Sequence, residues 1–313
     1  MQLEFNSTYF IFFFLISFFF AYLITRYSNS FFSGSLLDND FLKPQAFHKE
    51  PIARIGGFVV FILFVLFILF YFLIFDIFLK DYFTISLLLF VLGFLNLWLE
   101  NNTFQLCFVL LCFLFIINGA NLIDGFNGLL AIHFLIINSF FLLINLSNQN
   151  ENISIILFAQ IIIVLSFLLF NFPKAKIFLG DSGSYLLGSL IVLNTINTSD
   201  LNPQISPLFF TCVLFYLFYE VFFSFIRKTL LKNSPLKPDK NHLHMLLYGW
   251  LSNVKKIENS NYLTSLLVNS CYLFSQIPLF YFQNNGLISR YWFFSLITFY
   301  TIIYFRLYSL SKK

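Results

Sequence analysis

Residues 57–75 read GFVVFILFVLFILFYFLIF: nineteen positions without a charge, amide or proline. A helix rising 1.5 Å per residue needs roughly 20 apolar residues to cross about 30 Å of hydrocarbon. This stretch alone sets the solvent as lipid, and similar runs surround it. They lie near 8–25, 82–99, 104–120, 128–146, 153–171, 184–199, 206–226, 262–282 and 291–309. The expected fold is all-α: a polytopic transmembrane helical bundle of about 9–10 helices, forming a single membrane domain over 1–313.

Composition agrees. Of 313 residues, 59% are hydrophobic and only 10% charged, with 50 Phe and a mean hydropathy of +0.84. Soluble domains carry about 25% charged residues, so a water-soluble enzyme is excluded. The aromatics read as lipid-facing filler. Cys107, Cys112, Cys212 and Cys271 stand singly in apolar runs and behave as small hydrophobes, not ligands or bridges. The first run lacks a positive n-region and a small-residue cleavage site, so it reads as a retained transmembrane helix.

Between the runs lie polar segments at 26–56, 121–127, 172–183 and 227–261. Segments 26–56, 172–183 and 227–261 hold 13 of the 18 Lys and Arg. By the positive-inside rule they face the cytoplasm, with the N-terminus outside and the C-terminus cytoplasmic. Crossing parity puts 121–127 on the same face. The interval from Gly57 to Asp124 breaks it, with three runs where an even number is required. Either 82–99 does not cross, or a segment is missing there.

Four segments carry candidate chemistry. In Asn118-Gly-Ala-Asn121-Leu-Ile-Asp124-Gly125-Phe-Asn127-Gly128, Asn121 and Asp124 share a helix face. A carboxylate beside amide oxygens suits a hard cation such as Mg²⁺. In Gly180-Asp181-Ser182-Gly183-Ser184, free N–H groups at a helix start attract phosphate, with Asp181 tolerated if a metal mediates. Ser234-Pro-Leu-Lys237-Pro-Asp239-Lys240-Asn241-His242-Leu-His244 crowds cations and imidazoles that could hold a pyrophosphate. A zinc site is disfavoured there, because no further loop His or Cys completes a tetrahedron. His48, Lys49 and Arg54 precede Gly56-Gly57 at the start of the second run. Taken singly, each segment also reads as a helix cap, a solvated loop or topogenic charge. All four on one membrane face is harder to assign to chance.

In order, HKEPIARIGG (48–57), NGANLIDGFNGL (118–129), KIFLGDSGSYLLG (176–188) and SPLKPDKNHLH (234–244) resemble the polyprenyl-phosphate N-acetylhexosamine-1-phosphate transferases. They lie closer to the UDP-GlcNAc branch than to the peptidoglycan branch. The resemblance implies transfer of a sugar-1-phosphate from a UDP-sugar to undecaprenyl phosphate at the plasma membrane, releasing UMP, in cell-envelope polysaccharide synthesis. It implies Mg²⁺ as cofactor, with Mn²⁺ as an alternative, held by Asn121 and Asp181. Asp124, Asp181, His242 and His244 would be catalytic. His48, Arg54, Asn127, Gly180, Ser182, Lys237, Asp239, Lys240 and Asn241 would bind substrate. A homodimer is allowed, and no nucleic-acid partner is expected.

Departures accompany the resemblance. Family members carry an adjacent acidic pair after the third span, whereas Gly93-Phe-Leu-Asn96-Leu97 has neither carboxylate. That is the interval that fails parity. Asn127 stands where many members have Asp, and Met245 where many have a third His. Two alternatives therefore stand beside the transferase: a diverged relative that binds without turnover, and a small-molecule transporter. Polar residues gathered on one face, not at the midplane, disfavour the transporter.

Overall fold

The computed structural model describes residues 7–27, 37–38, 52–53, 56–75, 103–232 and 239–311, with single residues at 79, 82 and 234. Of the expected run 82–99 only Tyr82 is described, and the Gly93–Leu97 segment, His48, Arg54 and Lys237 lie outside the described residues.

Inside hydrocarbon, a helix satisfies its own backbone polar groups, and the apolar runs fold accordingly. The helices are α1 (Ser7–Arg26), α2 (Gly56–Phe75), α3 (Thr103–Ile123), α4 (Leu129–Ser147), α5 (Glu151–Asn171), α6 (Gly180–Leu201), α7 (Pro207–Val213), α8 (Phe215–Leu230), α9 (Leu243–Gly249), α10 (Ser260–Tyr281) and α11 (Gly286–Ser311). A π-helical turn, Trp250–Val254, follows α9. Strands β1 (Leu37–Asp38) and β2 (Ile52–Ala53) form a short antiparallel ladder, Leu37 opposite Ala53. Among the described residues, α4, α5, α10 and α11 are long and apolar enough to cross a membrane, and α7 with α8 form a fifth candidate. The chain is an integral membrane protein built as an all-α bundle.

One expected span needs correction. Residues 206–226 are not one straight helix: α7 and α8 meet at a 70° bend. Leu214, at φ −86° and ψ 0°, leaves the helical basin at the break. The Tyr272 hydroxyl donates to the Val213 carbonyl at 2.6 Å, giving that group a partner where the helical ladder is disturbed. The 121–127 loop is also shorter than expected, since α3 continues through Ile123 and carries Asn121 in its last turn.

Helix α3 is held tightly on two sides. A Cβ at Gly119 would meet the Leu217 carbonyl oxygen of α8 at 2.1 Å, and one at Gly188 of α6 would meet the Ala120 Cβ at 2.9 Å. Small residues permit this approach, as in other membrane helix pairs. Helices α4, α5 and α6 share a buried amide cluster. Asn138 donates to Gln160 at 2.9 Å, and Asn194 donates to Gln160 at 2.6 Å and to Asn138 at 3.2 Å. Each such bond contributes about 0.6 kcal/mol to membrane helix association. The result is a firm frame for the loops at the polar end.

Candidate functional site

The end of α3 and the start of α6 meet through Asn121. Its Oδ1 accepts from the Ser184 hydroxyl at 2.6 Å, and its Nδ2 donates to the Tyr185 hydroxyl at 3.3 Å. Ser184 lies one turn after Asp181 and is also 3.1 Å from the Asp181 carbonyl oxygen. The NxxDG and GDSGS segments therefore meet. Asp181 and Ser182 are exposed, and Asp124 is half-buried. Gly180 opens α6 with φ +68°, a left-handed conformation that favours glycine.

The turn after α3 is tied to the other loops. The Asn127 amide N–H donates to Asn261 Oδ1 at 2.8 Å, and its Nδ2 donates to the Pro173 carbonyl at 2.9 Å. Gly128 N–H donates to Asn171 Oδ1 at 2.6 Å, while Asn171 Nδ2 donates to the Ile177 carbonyl at 2.8 Å. Gly128 has φ +75°, and a Cβ there would meet the Phe172 ring at 2.8 Å, so glycine is required twice over. Phe126 lies edge-on to the His244 ring at 5.6 Å. The turn between α3 and α4 thus touches both the 172–183 loop and the histidine segment.

The histidine segment is held by a network. His242 Nδ1 is 3.0 Å from Glu220 Oε1, and its Nε2 is 3.3 Å from Asp239 Oδ1. Asp239 Oδ2 pairs with Arg227 at 2.8 Å. Glu220 Oε1 also accepts the Leu243 N–H at 3.0 Å, and its Oε2 accepts the Tyr300 hydroxyl at 2.8 Å. The Tyr304 hydroxyl donates to the Asn241 carbonyl at 3.0 Å. His244 stacks on His242, its Nδ1 3.3 Å from the Tyr216 hydroxyl. Burial pushes the His244 imidazole down to about 4, opposed by nearby Glu220 and reinforced by His242. Burial raises the Asp239 carboxyl, but Arg227 and His242 outweigh it and hold it below the ordinary carboxylate value.

Of the residues singled out by sequence, Asn121, Asp124, Asn127, Gly180, Asp181, Ser182, Asp239, Asn241, His242 and His244 lie at this end of the bundle. Lys240 is exposed there. Glu220, Tyr300 and Tyr304 were not singled out, and Ser184 stood only as the end of the GDSGS segment. A carboxylate inside the apolar run Leu214–Phe223 was the available signal for Glu220. The tyrosines resemble every other aromatic in the chain, so nothing local marked them.

Asn121 and Asp181 offer only oxygen, with the Asn121 oxygen oriented by Ser184 and Tyr185. Among the described residues no three His, Cys, Asp or Glu side chains converge as a metal cage. Mg²⁺ is commonly held by one or two carboxylates plus substrate phosphates and water, and this donor set fits that mode.

Comparison with known proteins gives the same direction. The sequence profile of glycosyl transferase family 4 matches residues 53–199. The chain is 30% identical over 145 residues to the undecaprenyl-phosphate alpha-N-acetylglucosaminyl 1-phosphate transferase of Thermotoga maritima, covering 44% of this chain and 41% of the relative. It is 34% identical over 136 residues to a probable undecaprenyl-phosphate N-acetylglucosaminyl 1-phosphate transferase of Bacillus subtilis, covering 43% and 38%. It is 31% identical over 178 residues to the phospho-N-acetylmuramoyl-pentapeptide-transferase of Dictyoglomus turgidum, covering 54% and 56%. The chain thus spans about half or less of the length of these curated relatives. The matched residues 53–199, just under half of the chain, carry Asn121, Asp124 and the GDSGS start of α6 and are similar to glycosyl transferase family 4.

Proposed function

We propose that this protein transfers an N-acetylhexosamine-1-phosphate from a UDP-sugar to undecaprenyl phosphate, giving a lipid-diphosphate-linked sugar and UMP. The observation that carries the reading is the meeting of three polar segments at one end of an apolar bundle. Asn121 bonds Ser184, Asn127 bonds Pro173 and Asn261, and Phe126 packs on His244. An enzyme joining a soluble nucleotide to a lipid needs such a polar end at the membrane surface. The names of the curated relatives support the same reaction. The Lys and Arg gathered in 26–56, 172–183 and 227–261 support a cytoplasmic face.

In the reaction an oxygen of the lipid phosphate bonds to the β-phosphorus of the UDP-sugar. The bond from that phosphorus to the oxygen bridging it to the α-phosphate breaks, and UMP leaves with the electron pair. The lipid phosphate is its own nucleophile. Its second pKa, about 6 by analogy with phosphoserine, leaves it largely dianionic at pH 7, so no strong general base is required. Asn121 and Asp181 would hold Mg²⁺, which when bound neutralises the pyrophosphate and the charge building on the leaving oxygen. Asp124, in the same helix-ending turn, would serve the nucleotide and metal from there. The Gly180 helix start would offer N–H groups to phosphate, and the histidine segment would contribute a ring nitrogen.

Transport is the weaker reading, because the amides buried among α4, α5 and α6 hydrogen-bond one another. Binding without turnover has one feature in its favour, the lack of a carboxylate at Gly93–Leu97. The test is purified protein in detergent with Mg²⁺, undecaprenyl phosphate and a panel of UDP-sugars, following UMP. Release above the Asp181→Ala background supports transfer. Nucleotide binding without UMP release sinks it in favour of the inactive reading.

A further inference from the structure

We propose that Glu220 is the positioning residue of the histidine segment, making His242 a fixed anchor and leaving His244 as the histidine that meets substrate. Both ring nitrogens of His242 face carboxylate oxygens, Glu220 Oε1 at 3.0 Å and Asp239 Oδ1 at 3.3 Å. Neither nitrogen is left over for a phosphate oxygen. Glu220 is 1% exposed, and both of its oxygens are used: one on His242 and the Leu243 N–H that opens α9, the other on the Tyr300 hydroxyl. One buried carboxylate therefore joins α8, α9 and α11. Asp239 is locked in turn by Arg227 at 2.8 Å.

His244 differs. Its Nδ1 is taken by Tyr216, while its Nε2 is buried without a hydrogen-bond partner among the described residues. A buried polar nitrogen left unpaired is costly, and such a group in a native fold calls for an explanation. The stacked rings, 5.7 Å apart and 12° from parallel, make His244 follow His242 in orientation. Phe126 from the α3–α4 turn lies against it, so this ring sits at the seam between the two segments. The sequence motif treats the two histidines alike; the hydrogen bonds separate them into an anchor and a contact. The anchoring stands independently, whereas the substrate contact rests on the transferase reading.

The experiment uses the full chain in nanodiscs and two readouts: hydrogen exchange over 239–249, and steady-state transfer from UDP-GlcNAc to undecaprenyl phosphate. Glu220→Ala should speed exchange at least about tenfold in 239–249 but not in α4 or α5. It should lower kcat by roughly 10²-fold, as expected for a misplaced catalytic group, with KM for UDP-GlcNAc little changed. Glu220→Gln should rescue much of the protection, because its amide oxygen still accepts from Leu243 and His242. His242→Gln should behave like Glu220→Ala, whereas His244→Gln should lower kcat with 239–249 still protected. Unchanged exchange in Glu220→Ala, or kcat loss confined to His242→Gln, would overturn the proposal. If Glu220→Ala unfolds globally, Tyr300→Phe decides, and wild-type exchange over 239–249 in that variant counts against anchoring. A wild-type chain that transfers nothing, with the exchange pattern intact, refutes the transferase reading and leaves the anchoring in place.

Discussion

Replacing Gly119 by alanine should damage catalysis more than stability. An added Cβ would lie 2.1 Å from the Leu217 carbonyl oxygen and 2.7 Å from its carbon, where ordinary contact begins at 3.4 Å. Both are backbone atoms of α8 and cannot swing aside, so α3 and α8 must separate by roughly 1 Å at a cost of about 1–3 kcal/mol. Helix α3 is pressed from its other side by Gly188 of α6, so the shift passes into its last turn, which carries Asn121. Displacing a catalytic group by about 1 Å can cost on the order of 10²-fold in rate. The assay is UMP release with saturating UDP-GlcNAc and undecaprenyl phosphate, beside thermal unfolding in the same detergent. Gly119→Ala should lose about 10²-fold in kcat with a modest fall in Tm. Gly249→Ala, where an added Cβ meets nothing within 4 Å, should match wild type. Wild-type kcat in Gly119→Ala would refute the idea that close helix packing sets the geometry of the site.

Three further outcomes are expected. Ser184→Ala frees the Asn121 oxygen from its 2.6 Å donor and should raise the Mg²⁺ needed for half-maximal transfer by about 10–100-fold, the usual effect of losing an orienting partner; an unchanged Mg²⁺ titration counts against Asn121 as a ligand. Chelation of divalent ions should abolish transfer, and Mg²⁺ should restore it; full activity in excess chelator would remove the metal from the account. Stability should fall on acidification. Folded His244 titrates at about 4 against an ordinary 6.5, so between those values the unfolded chain binds the extra proton. The contribution, up to about 3 kcal/mol, is complete above pH 6.5 and is lost as pH falls towards 4. Asp239, with its depressed pKa, acts in the same direction at lower pH. Chemical denaturation from pH 7 to 4.5 should show this slope reduced in His244→Gln, and a flat profile in wild type contradicts it.

The helices were legible because the solvent is lipid: a run such as 57–75 can do little else in hydrocarbon. The bend at Leu214 was not, since Val213-Leu-Phe carries neither Pro nor Gly and the break is held by Tyr272, 59 positions away. Within the site, Asn121, Asp124 and Asp181 stood out because polar residues at span ends are conspicuous. The Ser184 bond to Asn121, across 63 positions, was not legible, because no local pattern pairs two span ends. Glu220 was visible as a charge in an apolar run, but its meaning depends on His242 and on Tyr300, 80 positions further on. Local pattern reports which residues are out of place, and only the packed helices report what they hold.

The proposed reaction moves a sugar phosphate from nucleotide to lipid where the Asn121, Asp181 and histidine segments meet. The most direct measurement follows phosphorus-32 in the β-position of UDP-GlcNAc incubated with the protein, undecaprenyl phosphate and Mg²⁺. Label should enter the lipid extract as a sugar diphosphate while unlabelled UMP appears in equal amount, and Asp181→Ala should abolish both. Label that remains in the aqueous phase, as intact nucleotide or as free sugar phosphate, would contradict it.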